Sequence, residues 1–300
     1  MPRSPQSSGA ERRITRALLR QWSLPSAGGD DDKEARGRVL IVGGSNAIPG
    51  AVVLAGIAAL RAGAGKLQIA STRTVAPFIG VSVPEAMTIG LDETPTGGFR
   101  RRSVPLIIEH ANASDAVLVG PGMTEDGDTR RVVADFLERV DGPAVVLDAA
   151  ALTGLSSLAG SLDRLQGNIV LTPHAGEMAA MLRTDKLKIV TDPATAARHT
   201  AVALNAVVIL KGSHTFVASP GGDVCRYAGG DVGLATSGSG DTLAGIVAGL
   251  LARGASPLHA SVWAVFLHGE AGNVLAKKIG RTGFLARELL AEIPAIMNRS

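Results

Sequence analysis

The chain has 300 residues, of which 46% are hydrophobic, 3% aromatic and 19% charged. This length allows one large domain or two small ones, and the apolar content is sufficient for a large buried core. The formal net charge of +3 derives largely from arginines near the N-terminus, and no aromatic residues interleave with them, which disfavours a nucleic-acid-binding protein. A single cysteine, Cys225, excludes an internal disulfide and a cysteine-rich metal site.

The first 36 residues are polar and rich in Ser, Gly and Asp, which predicts a partly loose lead-in with one short helix near residues 11–20. No apolar run of secretory-signal length follows the N-terminal arginines, and the apolar stretch 51–60 is too short to span a membrane. We therefore expect a cytoplasmic protein that binds neither membranes nor nucleic acid.

From residue 37 onward, short Val/Ile/Leu runs alternate with helical patterns, so residues 37–300 are predicted to form a single domain. The predicted strands are 38–42, 66–70, 115–119, 144–148, 168–172, 206–210, 214–218 and 223–227. The predicted helices are 50–62, 104–111, 128–139, 175–182, 191–203, 239–253, 257–277 and 284–297. This alternation is typical of an α/β fold with a mostly parallel central sheet covered by helices on both faces.

Two further features concern the edges of this sheet. The last two predicted strands are joined by Ser219-Pro-Gly-Gly-Asp223, which predicts an antiparallel hairpin at a sheet edge. Ligands of parallel sheets bind at the carboxyl ends of the strands. The loops that follow the predicted strands are therefore expected to line one cleft.

The most informative loop is Gly238-Ser-Gly-Asp241, which leads into the helical pattern of 239–253. A helix N-terminus presents free N–H groups and a positive dipole end, and both favour an anion. Asp241 either caps this helix or acts in catalysis, and the flanking glycines favour catalysis. The helix N-terminus is expected to favour the ionised carboxylate. A side chain at Gly240 is expected to block the close approach of a phosphate and to require an unfavourable positive φ.

Common nucleotide motifs are absent. No Lys-Ser or Lys-Thr follows the glycines, and Gly63-Ala-Gly-Lys66 has Leu60 and Leu67 where a Walker A motif needs Gly and Ser or Thr. Gly43-Gly44-Ser45 does not match the dinucleotide fingerprint Gly-x-Gly-x-x-Gly. Neither zinc-site spacing nor a Gly-x-Ser-x-Gly elbow occurs.

The chain resembles the ADP- or ATP-dependent NAD(P)H-hydrate dehydratases of the ribokinase-like superfamily. The resemblance rests on motifs that occur in order between residue 37 and about residue 290: Gly37-Arg-Val-Leu-Ile-Val-Gly-Gly-Ser45, Pro49-Gly-Ala51, Arg61-Ala-Gly-Ala-Gly65, Pro84-Glu-Ala-Met87, Gly120-Pro-Gly122, Val146-Leu-Asp148, Thr172-Pro-His-Ala-Gly-Glu177, Lys211-Gly212 with Thr215, and Gly238-Ser-Gly-Asp241. It implies a ribokinase-like fold. It also implies a repair reaction in which a nucleotide, with ADP favoured over ATP, phosphorylates the ring hydroxyl of hydrated NADH or NADPH, and loss of phosphate restores the cofactor.

The resemblance also implies roles for individual residues. Asp241 is expected to act on the hydroxyl, and the hydrated dinucleotide is expected to contact Ala51, Gly122, His174 and Asp241. The expected nucleotide contacts are Lys211, Gly212, Ser213, His214, Thr215, Gly238, Ser239 and Gly240. Magnesium is implied, with Glu177 and Asp148 as candidate ligands. The family further suggests a homo-oligomer, possibly a tetramer.

Structural alternatives exist for several of these residues. His174 can make a local turn contact, Glu177 can favour a helix start, and Lys211 can be a surface lysine. His268 lies near Gly269 and Gly272, where close helix packing is the preferred interpretation.

One departure from the family pattern is Ala150, which stands where an aspartate is usual. This departure leaves open a nucleotide-binding protein without catalysis. The resemblance to the superfamily also leaves open a small-molecule kinase for a thiazole or pyrimidine alcohol.

Overall fold

The computed structural model describes residues 11–25 and 33–300. The strands are β1 Arg12–Arg13, β2 Arg38–Val42, β3 Lys66–Thr72, β4 Ala86–Leu91, β5 Ala116–Val119, β6 Ala144–Leu147, β7 Ile169–Leu171, β8 Val207–Leu210, β9 Thr215–Ala218 and β10 Val224–Tyr227. The helices are α1 Arg16–Gln21, α2 Gly50–Arg61, α3 Ala76–Ser82, α4 Val104–Asn112, α5 Gly127–Arg139, α6 Ala159–Asp163, α7 Ala175–Leu182, α8 Lys186–Thr191, α9 Pro193–Ala203, α10 Ser239–Ala252, α11 Pro257–Lys278 and α12 Ala286–Asn298.

The strands form one sheet in the order β1-β10-β9-β8-β7-β6-β5-β2-β3-β4. All neighbours from β8 to β4 pair in parallel, whereas β9 is antiparallel to both β8 and β10. The predicted hairpin is therefore confirmed. Its placement at the sheet edge is wrong, because β1 pairs in parallel with β10 and lies outside it.

Alternate residues of the strands face two separate cores. In β2, Val39 and Ile41 belong to the core that contains residues of α2, α10, α11 and α12, whereas Leu40 and Val42 belong to the core that contains residues of α4, α5, α7 and α9. All four side chains are at most 1% exposed. A parallel sheet with helices on both faces buries both sides of its strands in this way, so the predicted architecture is confirmed. Within the described ranges, no helix is both long enough and apolar enough to cross a membrane.

The sequence patterns did not predict every element. Helix α3 and strand β4 escaped prediction because both are short and interrupted by glycine, and β4 is an outer strand that is buried on only part of its surface. The helix predicted at 191–203 is confirmed as α9, which begins at Pro193 because Asp192 caps it. The short helices α6 and α8 were not predicted.

The described part of the N-terminal segment contains a strand and a helix. Residues 12–13 form β1, and Leu18 and Leu19 of α1 are buried in the same core as residues of α11 and α12. The short helix predicted near residues 11–20 is present as α1, and a partly loose lead-in around it stays a prediction. Residues 1–10 and 26–32 of the lead-in lie outside the described part, and the single domain at 37–300 stays a prediction.

Candidate functional site

Two glycine turns meet where the strand order reverses, between β2 and β5. The Gly44 N–H, after β2, donates a hydrogen bond to the Pro121 carbonyl, after β5, at 2.7 Å. Gly122 has a φ of +67°, and a Cβ there would lie 2.9 Å from the Cβ of Ala51 at the start of α2. Ala51 and Gly122 therefore lie side by side at the topological switch point, where open α/β sheets bind their ligands.

Asp148 connects these turns to a group of charged residues. It follows β6 and is buried, and its Oδ1 accepts hydrogen bonds from Thr172 Oγ1 at 2.6 Å and from Lys211 Nζ at 3.1 Å. A Cβ at Gly120 would overlap the Asp148 carbonyl oxygen, so the turn after β5 packs directly on this residue. Asp148 is thus held by a hydroxyl and an ammonium group.

His174 and Glu177 form a capping box at the start of α7. His174 Nδ1 accepts hydrogen bonds from the N–H groups of Gly176 and Glu177 at 3.0 and 3.1 Å. In return, Glu177 Oε2 accepts from the His174 N–H at 2.7 Å. His174 therefore makes the local contact, and Glu177 supports the helix start, as the structural alternatives predicted. The His174 side chain is also 57% exposed, so it is accessible to a ligand.

Lys211 lies among three carboxylates. Its backbone N–H donates to the Pro173 carbonyl at 2.8 Å, which aligns the end of β8 with the segment before α7. Its Nζ is 3.1 Å from Asp148 and 3.7 Å from Glu177, and the side chain is only 20% exposed. Burial lowers the pKa of Lys211, but Asp148, Glu177 and Asp241 outweigh it and raise the pKa above its usual value. The surface-lysine alternative is therefore wrong.

Asp241 lies in the first turn of α10. Burial raises its pKa to about 6, and the charges of Asp148 and Glu177 add to this shift while Lys211 opposes it. The helix N-terminus was expected to favour the ionised carboxylate, but the pKa shifts in the opposite direction because burial outweighs that effect. With a pKa of about 6 the carboxylate is still about nine-tenths ionised at pH 7.

The N-terminus of α10 has no side-chain cap. Its N-cap residue, Gly238, has a φ of +87°, and a Cβ there would collide with Leu54 of α2. Gly240 does not have the positive φ considered from the sequence, and a Cβ there would lie 3.4 Å from Lys211 Nζ. Gly238 is therefore the glycine that the backbone requires, whereas Gly240 leaves room beside Lys211.

The remaining predicted nucleotide residues form the short connection between β8 and β9. Gly212, Ser213 and His214 are exposed, and Thr215 begins β9. Lys211 and Gly240 bring this connection together with the α10 loop. The predicted site residues thus share the carboxyl edge of the sheet, and their ligand contacts stay predictions.

The donors in this region suit a magnesium ion that arrives with phosphates. Across residues 11–25 and 33–300, no group of three or more His, Cys, Asp or Glu side chains has an arrangement that would hold a metal by itself. Magnesium usually takes only one or two protein carboxylates and completes its shell with water and substrate phosphates. Glu177, which is 20% exposed, meets this requirement better than the buried Asp148, whose Oδ1 already binds Thr172 and Lys211.

Sequence reasoning missed two polar contacts at this edge. Thr172 orients Asp148, and its position directly after a strand was the available signal. His268, interpreted as a packing residue, makes a 2.9 Å hydrogen bond through Nε2 to Ser239 Oγ. Its neighbours Gly269 and Gly272 do allow close packing, against Tyr227 and Leu234. Ala150 is 3% exposed within the core.

Comparison with known proteins shows which family the chain resembles. The chain is 49% identical over 288 residues to the ADP-dependent (S)-NAD(P)H-hydrate dehydratase of Xanthomonas campestris, with 96% of each chain covered. It is 40% identical to a bifunctional NAD(P)H-hydrate repair enzyme of Moorella thermoacetica, covering 95% of this chain and 54% of the relative.

Solved structures give the same assignment. The ADP/ATP-dependent NAD(P)H-hydrate dehydratase of Bacillus subtilis, co-crystallised with ATP and Mg²⁺, superposes with a TM-score of 0.81 at 30% identity, covering 96% of this chain and 98% of the other. The profile of the NAD(P)H-hydrate dehydratase family matches residues 39–295. The chain therefore belongs to the NAD(P)H-hydrate dehydratase family, within the ribokinase-like fold.

Proposed function

We propose that this protein is an ADP-dependent dehydratase that restores NADH or NADPH from their hydrated forms. The observation that carries this proposal is the position of Asp241. It lies beside Lys211 at a helix N-terminus without a side-chain cap, in a chain 49% identical to a named ADP-dependent dehydratase. ADP is favoured over ATP as the phosphoryl donor, following the names of the relatives.

In the first step, Asp241 accepts the proton of the ring hydroxyl as the hydroxyl oxygen attacks the terminal phosphorus of the nucleotide. A base with a pKa of about 6 is mostly ionised at neutral pH and still retains basicity. The phosphorus–oxygen bond to the nucleotide breaks, and the shortened nucleotide leaves. In the second step, phosphate leaves one ring carbon and a proton leaves its neighbour, which restores the double bond.

The transferring phosphoryl group carries negative charge that the chain is arranged to stabilise. The first N–H groups of α10 and the Lys211 ammonium supply positive potential at one place. Magnesium, held by Glu177 with Asp148 as the second candidate, would neutralise charge on the nucleotide phosphates. The nucleotide contacts are assigned to residues 211–215 and 238–240, and the hydrated dinucleotide to Ala51, Gly122 and His174.

The test is to incubate the protein with hydrated NADH or NADPH, Mg²⁺ and either ADP or ATP, and to follow the absorbance of reduced nicotinamide. Restored absorbance that depends on nucleotide is the expected result. A stable phosphorylated product would instead indicate a small-molecule kinase. Nucleotide binding without turnover would indicate a non-catalytic protein.

We also propose a homo-oligomer, with a tetramer as the expected state. Its support is an apolar surface at the β4 edge, where Phe78, Val81 and Met87 are 70%, 82% and 48% exposed. Light scattering coupled to gel filtration tests this, with Phe78→Glu as the variant expected to reduce assembly.

We further propose that the protein acts in the cytoplasm, and cell fractionation tests this location.

A further inference from the structure

The hydrogen bond between His268 and Ser239 connects α11 to the phosphate end of α10. Ser239 is the first residue of α10 and is 5% exposed, and His268 lies halfway along α11. Their Oγ and Nε2 atoms are 2.9 Å apart. The contact therefore joins a buried hydroxyl, one residue from each of the two glycines of the loop, to a ring on a neighbouring helix.

The direction of this hydrogen bond determines what the hydroxyl can do. If Ser239 donated its proton to the ring, only lone pairs would face the anion site. If the ring donates, the hydroxyl proton remains available for an anion. Burial, together with the nearby charge of Lys211, lowers the pKa of His268 to about 4, although a hydrogen bond with the Ser239 backbone opposes the shift. The ring is therefore neutral at pH 7, and one of its two nitrogens carries a proton.

The surroundings favour the ring as the donor. The uncapped N-terminus of α10 and the Lys211 ammonium both attract an anion to the place where Ser239 begins the helix. An anion is stabilised by an O–H that points towards it and is repelled by a lone pair. A neutral ring that donates through Nε2 leaves the Ser239 O–H free to donate to an anion.

We propose that His268 is a positioning residue whose Nε2–H donates to Ser239 Oγ and thereby directs the Ser239 hydroxyl at the transferring phosphoryl group. This inference rests on the proposed function, because it assigns the anion at α10 as that phosphoryl group. His268 itself does not contact the reacting atoms. Its effect on the reaction passes through Ser239.

The test compares two amides at position 268. In His268→Gln the amide nitrogen reaches about as far as Nε2 and can still donate to Ser239. In His268→Asn the same group is one carbon shorter and cannot. We expect kcat of the glutamine variant to stay within about threefold of the unmodified protein, and kcat of the asparagine variant to fall about tenfold. The KM for the hydrated cofactor should change in neither.

A double-mutant cycle separates positioning from packing. Ser239→Ala alone should lower kcat about tenfold, and Ser239→Ala/His268→Asn should be no slower than Ser239→Ala within about threefold, because both changes remove one interaction. A normal kcat in Ser239→Ala would overturn the proposal. A kcat of the double variant about 100-fold below that of the unmodified protein would also overturn it, because the two changes would then act independently. Ser239→Ala removes a single oxygen and decides the question if His268→Asn does not fold. An unmodified protein without turnover refutes the proposed function instead.

Discussion

Helices α7 and α10 begin at the same edge of the sheet, but only the N-terminus of α7 is capped by side chains. At α7, His174 and Glu177 satisfy the N–H groups through a complete capping box. At α10, the N-cap residue is Gly238, which has no side chain to offer. Side chains satisfy the N–H groups at the α7 terminus, whereas the α10 terminus has no side-chain cap and its positive end is available to an anion.

The acidic residues at the two helix ends, Glu177 and Asp241, also differ in their surroundings. Glu177 accepts a hydrogen bond from the backbone and lies 3.7 Å from Lys211. Asp241 lies at an equally favourable helix end, yet its pKa rises to about 6 because burial and two neighbouring carboxylates outweigh Lys211. A helix end therefore does not set the pKa of a carboxylate when that carboxylate is buried among like charges. The following variants test whether the difference between the two helix ends is functional.

The largest expected effect comes from Asp241→Asn at the α10 end. Loss of the proton acceptor should lower kcat by about two to four orders of magnitude, while nucleotide affinity changes much less. Steady-state kinetics together with nucleotide titration measure both. A near-normal kcat would reduce Asp241 to a helix-capping residue.

Stability provides a control for the same variant. Because the folded pKa of Asp241 is raised from 3.8 to about 6, the folded protein binds more protons than the unfolded chain between these pH values. The contribution of Asp241 to stability is therefore full below pH 4 and is lost as the pH rises towards 6 and above. Asp241→Asn should unfold at the same temperature as the unmodified protein or a higher one at pH 7, and thermal melts across pH 4–7 check this.

A smaller effect is expected from Gly240→Val, which places a side chain beside Lys211 in the uncapped loop. Since φ at Gly240 is not positive and its Cβ position is in ordinary contact, the variant should fold. Nucleotide affinity should fall about 10- to 100-fold through loss of close phosphate approach. Gly160→Val is the matched control, because Gly160 has no atom within 4 Å of its Cβ position. Equal nucleotide affinities in Gly240→Val and Gly160→Val would contradict the assignment of a phosphate site to this loop.

At the α7 end, His174→Asn separates capping from ligand contact. Asn is among the best N-cap residues, so the unfolding temperature should be retained. The KM for the hydrated cofactor should rise about three- to tenfold if the exposed ring contacts it. An unchanged KM would leave His174 with its capping role alone.

The smallest expected shift is in the pH profile of Glu177→Gln, which is measured separately from the lower activity that loss of the preferred magnesium ligand should cause. In the unmodified protein kcat/KM should decrease as the pH falls through about 6, because Asp241 becomes protonated. Removal of the Glu177 charge should move this decrease to lower pH, since Glu177 raises the pKa of Asp241. Gln is also acceptable in a capping box, so α7 should remain intact. If the decrease in kcat/KM occurs at the same pH in Glu177→Gln, the charge of Glu177 does not affect the pKa of Asp241.

The sequence predicted the start of α10, the glycine turns and most buried strands, because each produces a local signal in apolar spacing or glycine content. It did not predict the pairing of Lys211 with Asp148, which are 63 residues apart and meet only when β6, β7 and β8 lie side by side. The direction of the Asp241 pKa shift depends on the same assembly. The link from His268 to Ser239 had no sequence signal, since it requires the packing of α11 on α10.

The two-residue strand β1 has a consequence for handling the protein. Arg12 and Arg13 pair with Cys225 and Arg226 of β10, and so cover hydrogen-bonding groups that would otherwise form an open sheet edge. Open edges promote association between chains through new strand pairing, and charged residues on an outer strand oppose it. We therefore expect a protein shortened past Arg13 to aggregate more readily while its cleft, at the carboxyl ends of the strands, stays intact. Solubility and repair chemistry would then depend on separate parts of one sheet.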